Sequence, residues 1–179
     1  MPKPADAARP SKDLKPSPAL SIQINGPKSF KGRKVGALLT DGVDIKLFQS
    51  LKNALNEEDA LLEIVAPKVG GVQASDGSWI EAKQKIDGGP SVLYDAVVLM
   101  VSKQGAKLLT AEPAARDFVA DAFTHMKFIG HTPAAVALFE KAGLPENRDH
   151  GFITLNGESD CFAFVTACRK LRYWDRRTD

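Results

Sequence analysis

The sequence predicts an α/β fold: a doubly wound, mostly parallel sheet of five strands, with helices on both faces and one β-hairpin excursion. Three observations carry this. From Lys34 onward, short aliphatic or β-branched runs alternate with amphipathic stretches of helical length. The runs are continuous rather than alternating, as in strands covered on both faces. An apolar fraction of 44% in 179 residues suffices for one sizeable core. The formal net charge of +2 provides no global field to draw nucleic acid or an anionic membrane. No window reaches about 18 uninterrupted apolar residues, and the N-terminus lacks an apolar signal core. The expectation is a cytoplasmic location, with neither nucleic acid nor membrane as partner.

Residues 1–33 form a separate unit, a proline-rich basic arm or linker, holding six of the eleven prolines. Proline fixes φ and removes amide donors, so the stretch to about Pro27 is expected as polyproline-like coil. From Met1 to Lys34, eight basic residues face two acidic ones, a net +6. The one apolar island is Ser17-Pro18-Ala19-Leu20-Ser21-Ile22, which suits pinning the arm to a partner surface.

Residues 34–179 form the body. Val35 to Thr40 is the expected central strand, and the Asp41-Gly42 turn leads into a helix from about Val43 to Asn56 whose apolar residues recur at three- and four-residue spacing. Leu61 to Ala66 is a second strand, stopped by Pro67. Val72 to Ala82, folded about Asp76-Gly77, is a hairpin expected at the sheet margin. Asp95 to Val101 is the third strand and Glu112 to Met126 a helix. Lys127 to Gly130 is the fourth strand, entering a helix from Pro133 to Ala142 that Gly143 and Pro145 end. Gly151 to Leu155 is the fifth strand. Ser159 or Asp160 is expected to cap a last helix running to about Arg172. Strands wound in this way give a flavodoxin-like sheet.

Ligands of such sheets collect at the carboxyl ends of the strands. Thr40 to Asp44, Ser102 to Gly105 and Gly130 to Pro133 reach that edge. The last has the strand-to-helix form of a nucleophile elbow, but Gly130 supplies no nucleophile. A triad-like reading joins His131 to Asp44, with Thr132 as a weak nucleophile. The plainer one has Thr132 capping the helix and His131 bonding locally. The candidate pocket is therefore Asp44, Ser102, Gly130, His131 and Thr132, with no catalytic residue assigned. No metal is expected, since the three histidines and two cysteines show none of the usual ligand spacings. Cys161 and Cys168, seven apart on one helix, stand roughly 10 Å apart and cannot pair. They read as core thiols. The basic and aromatic run Arg169 to Arg177 reads as a helix end with cations opposing its dipole and aromatics docked on the body.

The runs Ser17 to Ser21, Arg33 to Gly42 and Phe118 to Gly130 resemble, in that order, the C-terminal domain of large-subunit haem catalases. That domain is similar to the DJ-1/PfpI and class I glutamine amidotransferase group. Enzymes of the group carry cysteine in a Cys-His-Gly-Pro motif where this chain reads Gly130-His131-Thr132-Pro133. They place an acidic residue near the position of Asp44, and a Gly-Gly pair where Val101-Ser102 stands. The resemblance implies a parent chain that dismutates hydrogen peroxide with haem held upstream of Met1, and no cofactor in this domain. It implies a non-catalytic accessory domain that supports folding, stability or assembly of the oligomer, with the catalase core of the same or a neighbouring subunit as partner. Two alternatives stand beside it: a general chaperone for unfolded protein clients, and an amidotransferase- or DJ-1-like enzyme with a degenerate site.

Overall fold

A computed structural model describes residues 4–10 and 12–176. Pro2 and Lys3 of the arm, and Arg177 of the basic run, lie outside the described residues. Ala19 and Leu20 sit in a single 3-10 turn, Pro18–Leu20, followed by a one-turn helix, α1 (Ile22–Asn25). The expected coil is thus interrupted at the apolar island. Pro18 opens the turn, where its missing N–H costs nothing, and the Asn25 amide closes it by donating to the carbonyls of Pro18 (2.7 Å) and Ala19 (3.2 Å). Phe30 is fully buried, so the packing of the body already begins before Lys34.

The body follows as β1 (Lys34–Leu39), α2 (Ile45–Glu57), β2 (Leu61–Ala66), β3 (Gly71–Gln73), β4 (Trp79–Glu81), β5 (Gln84–Lys85), β6 (Ala96–Met100), α3 (Lys103–Ala111), α4 (Pro113–Thr124), β7 (Ile129–His131), α5 (Val136–Lys141), β8 (Phe152–Thr154) and α6 (Glu158–Cys168). The main sheet runs β5-β2-β1-β6-β7-β8, and every neighbouring pair in it is parallel. This is the doubly wound order, with β1 inside the sheet as its apolar run requires. Six strands stand in place of the expected five, because Gln84 and Lys85 pair beside Val65 and Ala66. Two polar residues carry no periodic signal.

The hairpin β3–β4 is a sheet of its own and does not extend the margin of the main one. It is tied to the turn after β1, where the Gly42 amide donates to the Gln73 carbonyl (2.8 Å) and the Gln73 amide to the Asp41 carboxylate (2.9 Å). Helix α3 has no counterpart in the sequence pattern, since only Gly105, Ala106 and Leu109 of its nine residues are buried. Helix α6 ends at Cys168 rather than Arg172, where the chain turns through a left-handed Leu171 (φ 66°). Neither Ser159 nor Asp160 caps it: Gly157 holds that position, and Asp160 accepts from the Asn156 amide at 2.8 Å.

Two apolar layers flank the sheet. On one face α2 and α6 bury Phe48, Leu51, Leu55 and Phe164; on the other, α3, α4 and α5 bury Leu109, Phe118, Leu138 and Phe139. Each such side chain contributes about 1.5–3 kcal/mol on burial. The close fit is visible at Gly36, where an added Cβ would lie 2.2 Å from the Tyr94 ring. Glycine lets that ring lie on β1, and its hydroxyl then donates to Glu63 at 3.0 Å. Cys161 and Cys168 are free and buried, as core thiols should be. Burial pushes Cys161 up to about 11 and raises Cys168 well above the usual thiol range.

Candidate functional site

At the carboxyl edge the structure separates the residues that the sequence groups together. Gly130 does not sit in a turn. It lies inside β7, paired with Val98 and Ile153, and its φ is outside the left-handed region. An added Cβ would press on the Phe164 ring at 3.1 Å, so glycine here makes room for the core and no elbow forms.

The residues of one strand alternate between faces. Gly130 faces α6, so His131 points the other way and packs edge-on against Phe139 of α5 at 5.0 Å. Asp44 belongs to α2 on the opposite face, where its carboxylate accepts from the amides of Lys46 (2.8 Å) and Leu47 (3.2 Å) and caps the helix. The sheet stands between them, and no His131–Asp44 pair exists. Burial lowers the His131 pKa, and Arg148 adds to the effect against a bond to the Thr132 carbonyl (3.1 Å). The ring is neutral at pH 7.

Thr132 does not cap the following helix with its side chain. Its hydroxyl is held across the strand tops, accepting from the Val101 amide (3.1 Å) and donating to the Val101 carbonyl (3.0 Å). Ser102 caps α3 by accepting from Gly105 N–H (3.0 Å) and donates to the Asp41 carbonyl (2.7 Å). These groups serve as fasteners. Each hydroxyl gives its proton to a carbonyl rather than to the adjacent base that activates a nucleophile.

What the edge does hold is a cavity of about 240 Å³ where β1 and β6 diverge, lined by Thr40, Asp41, Lys68, Val72, Gln104 and Leu108. It is small beside most ligand pockets. Lys68 and Asp41 pair across it at 3.1 Å, and the Asp41 carboxyl is held below its usual range by the Gln73 amide first and Lys68 second. Thr40 and Gln104 lie in segments that the sequence places at this edge, whereas Lys68 has no motif to mark it.

The amino edge differs in kind. Lys127 is 2% exposed, and its ammonium donates to the carbonyls of Ser91 (2.5 Å) and Tyr94 (2.6 Å). Burial pulls its pKa down to about 8. Arg176 closes over this end. It donates to Asp149 through two nitrogens (2.7 and 2.9 Å) and to the Lys127 carbonyl (2.8 Å), and stacks near Phe123, Phe152 and Tyr173. Arg172 donates to the Asp95 carbonyl, and Arg33 pairs with the Asp95 carboxylate at 3.2 Å. Tyr173 meets Phe128 edge-on, and the Trp174 indole N–H donates to the Lys170 carbonyl.

No group of three or more His, Cys, Asp or Glu among the described residues is placed to hold a metal ion. Haem does not fit here either: Tyr94 is buried with its hydroxyl engaged by Glu63, His131 is packed in the core, and the clefts described are lined by no His, Tyr or Cys.

By shape the chain is similar to DJ-1beta of Drosophila melanogaster (TM-score 0.66, 16% identity, covering 79% of this chain and 91% of that one). It is also similar to a cysteine-to-alanine mutant of a DJ-1 superfamily protein from Salmonella typhimurium (0.63, 24%, 74% and 86%). By sequence it is 55% identical over 177 residues to Catalase C of Rhizobium meliloti and 33% identical to Catalase HPII of Mycobacterium avium, covering 98% and 91% of this chain. The chain spans about a quarter of the length of these curated relatives, 25% in each case. Residues 31–178 match the family model of the C-terminal domain found in long catalases, and it is to this family that the chain belongs.

Proposed function

We propose that the domain is a non-catalytic accessory unit of a haem catalase, acting on the folding, stability or assembly of the enzyme that decomposes hydrogen peroxide. The single observation that carries the reading is the carboxyl edge: Asp44, Ser102, His131 and Thr132 are each engaged within the fold, on different elements and on two faces of the sheet. Its partner on this reading is the catalase core of the same or a neighbouring subunit. A domain that binds only the native core raises apparent stability with the logarithm of effective concentration over dissociation constant.

The test is refolding of a denatured long haem catalase, and separately of an unrelated aggregation-prone enzyme, with this chain added in trans. The expected result is recovery of catalase activity alone. Rescue of both clients replaces the reading with a general chaperone, and rescue of neither removes it. A second reading, general binding of unfolded clients, is favoured by one observation. An open groove of about 630 Å³ between α2, β2 and the hairpin exposes Leu61 and Trp79 over partly buried Leu62 and Ile64. Substituting Trp79→Ser removes unrelated-client rescue on that reading and leaves catalase rescue untouched on the first.

A further inference from the structure

The amino edge carries two adjoining clefts. The larger, about 340 Å³, lies between α1 and the tail after α6; its apolar wall is Ile22, Ile24, Leu171 and Trp174, and Lys28 and Lys170 stand at its rim. The smaller, about 180 Å³, shares Ile22, Leu171 and Trp174 and adds Arg33 and Arg172. That wall is open to solvent, with Ile22 and Ile24 55% and 61% exposed. Contiguous apolar surface rimmed by polar residues marks a contact site.

Charge complementarity selects the occupant. Arg169 is already held by Glu58 through three contacts of 2.6–3.1 Å, and Arg33 by Asp95. Lys28 and Lys170 make no ion pair among the described residues, which leaves an uncompensated positive rim around an apolar floor. The groove on the hairpin side is larger, yet its rim mixes Lys52 with Glu81 and has no such surplus. The relatives are about four times the length of this chain, so a partner on the same polypeptide is always at hand.

We infer that the cleft between α1 and the C-terminal tail is where the catalase core docks, receiving a core segment that carries an aliphatic or aromatic side chain flanked by carboxylates. This rests on the accessory-domain reading and gives it an address: the apolar side chain enters between Ile22, Leu171 and Trp174, and the carboxylates meet Lys28 and Lys170. The pairs at the rim set orientation and rate more than affinity, and the buried side chain provides the grip.

The experiment uses the full-length long catalase that carries this domain. Lys28→Glu/Lys170→Glu reverses the rim; Lys103→Glu/Lys107→Glu reverses two exposed charges on α3 at the other edge as a control; Ile24→Ser weakens the apolar wall without touching charge. The readout is the temperature of half-inactivation of peroxide decomposition at low and high salt, beside thermal unfolding of the 179-residue chain alone. The rim variant is expected to lower the half-inactivation temperature by about 3 °C or more at low salt, with the gap to wild type closing at high salt. Ile24→Ser lowers it at both, the control not at all, and the isolated chains unfold alike. Rim and control variants that behave alike overturn the cleft assignment while docking stands. If deleting residues 30–176 leaves the half-inactivation temperature unchanged, the accessory reading falls as well.

Discussion

The two ends of the sheet handle polar groups in opposite ways. At the carboxyl edge they are short side chains, Asp44, Ser102 and Thr132, each bonded to backbone and with solvent near, and Ser102 and Thr132 reach 61 and 31 residues along the chain to do so. At the amino edge they are long cations, Lys127 and Arg176, drawn into the protein and satisfied by carbonyls and one carboxylate far away in sequence. In an open α/β sheet the first edge is where chemistry is usually found. Here Asp44, Ser102 and Thr132 are tied into the fold beside a cavity of about 240 Å³, and the buried charge lies at the other end. A fold shared with DJ-1 proteins does not by itself say what that edge does.

The contrast breaks most visibly at Arg176. Removing a guanidinium that is 1% exposed on its side chain leaves the Asp149 carboxylate without its cation and takes a donor from each of two carbonyls. Arg176→Ala is expected to destabilise the chain by about 3–5 kcal/mol in urea unfolding. The carboxyl edge offers a steric counterpart in Gly105, where an added Cβ would lie 2.0 Å from Thr40 Oγ1. Gly105→Ala must push α3 away from β1, at a cost of about 1–3 kcal/mol.

Lys127 sharpens the comparison through pH. Its pKa is depressed to about 8 in the folded chain against an ordinary 10.5. Between those values the unfolded state holds the extra proton, so stability gains from this residue as pH rises. Cys161 works the other way: it stays protonated to about 11 when folded, and so subtracts stability once an unfolded thiol ionises. The stability of wild type minus that of Lys127→Met isolates the lysine. It is expected to climb by about 1 kcal/mol per unit above pH 8; a flat difference removes the claim that the ammonium is strained by burial. The smallest effect belongs to Asp44. Asp44→Asn keeps the cap and shifts unfolding by only a few tenths of a kcal/mol, whereas Asp44→Ala costs about 1 kcal/mol.

The carboxyl edge is far more legible in the sequence than the amino edge. Val35 to Leu39 and Ala96 to Met100 announce themselves as buried parallel strands, and the turns after them contain the residues that line the cavity. What the sequence does not convey is which face each residue takes. His131 and Asp44 look like partners in one dimension, and a single residue of strand alternation puts a sheet between them. Gly130 reads as a turn because glycine marks turns more often than ring contacts, while the Phe164 it accommodates lies on a helix much later in the chain. The amino edge has one local sign, the basic and aromatic run after Arg169. Nothing near Lys127 or Arg176 foretells that Ser91, Tyr94, Asp149 and Phe123 will receive them, because those pairings exist only after the strands have been laid side by side.

Strand β1 starts beside the place where the tail is fastened, so Phe30 and Arg176 leave the body at the same end. Entry and exit on one side, with the sheet wound between them, is the geometry of a module that can be spliced into a loop of a host protein. A graft of residues 30–176 would be anchored by that end, with the carboxyl edge and its cavity facing outward.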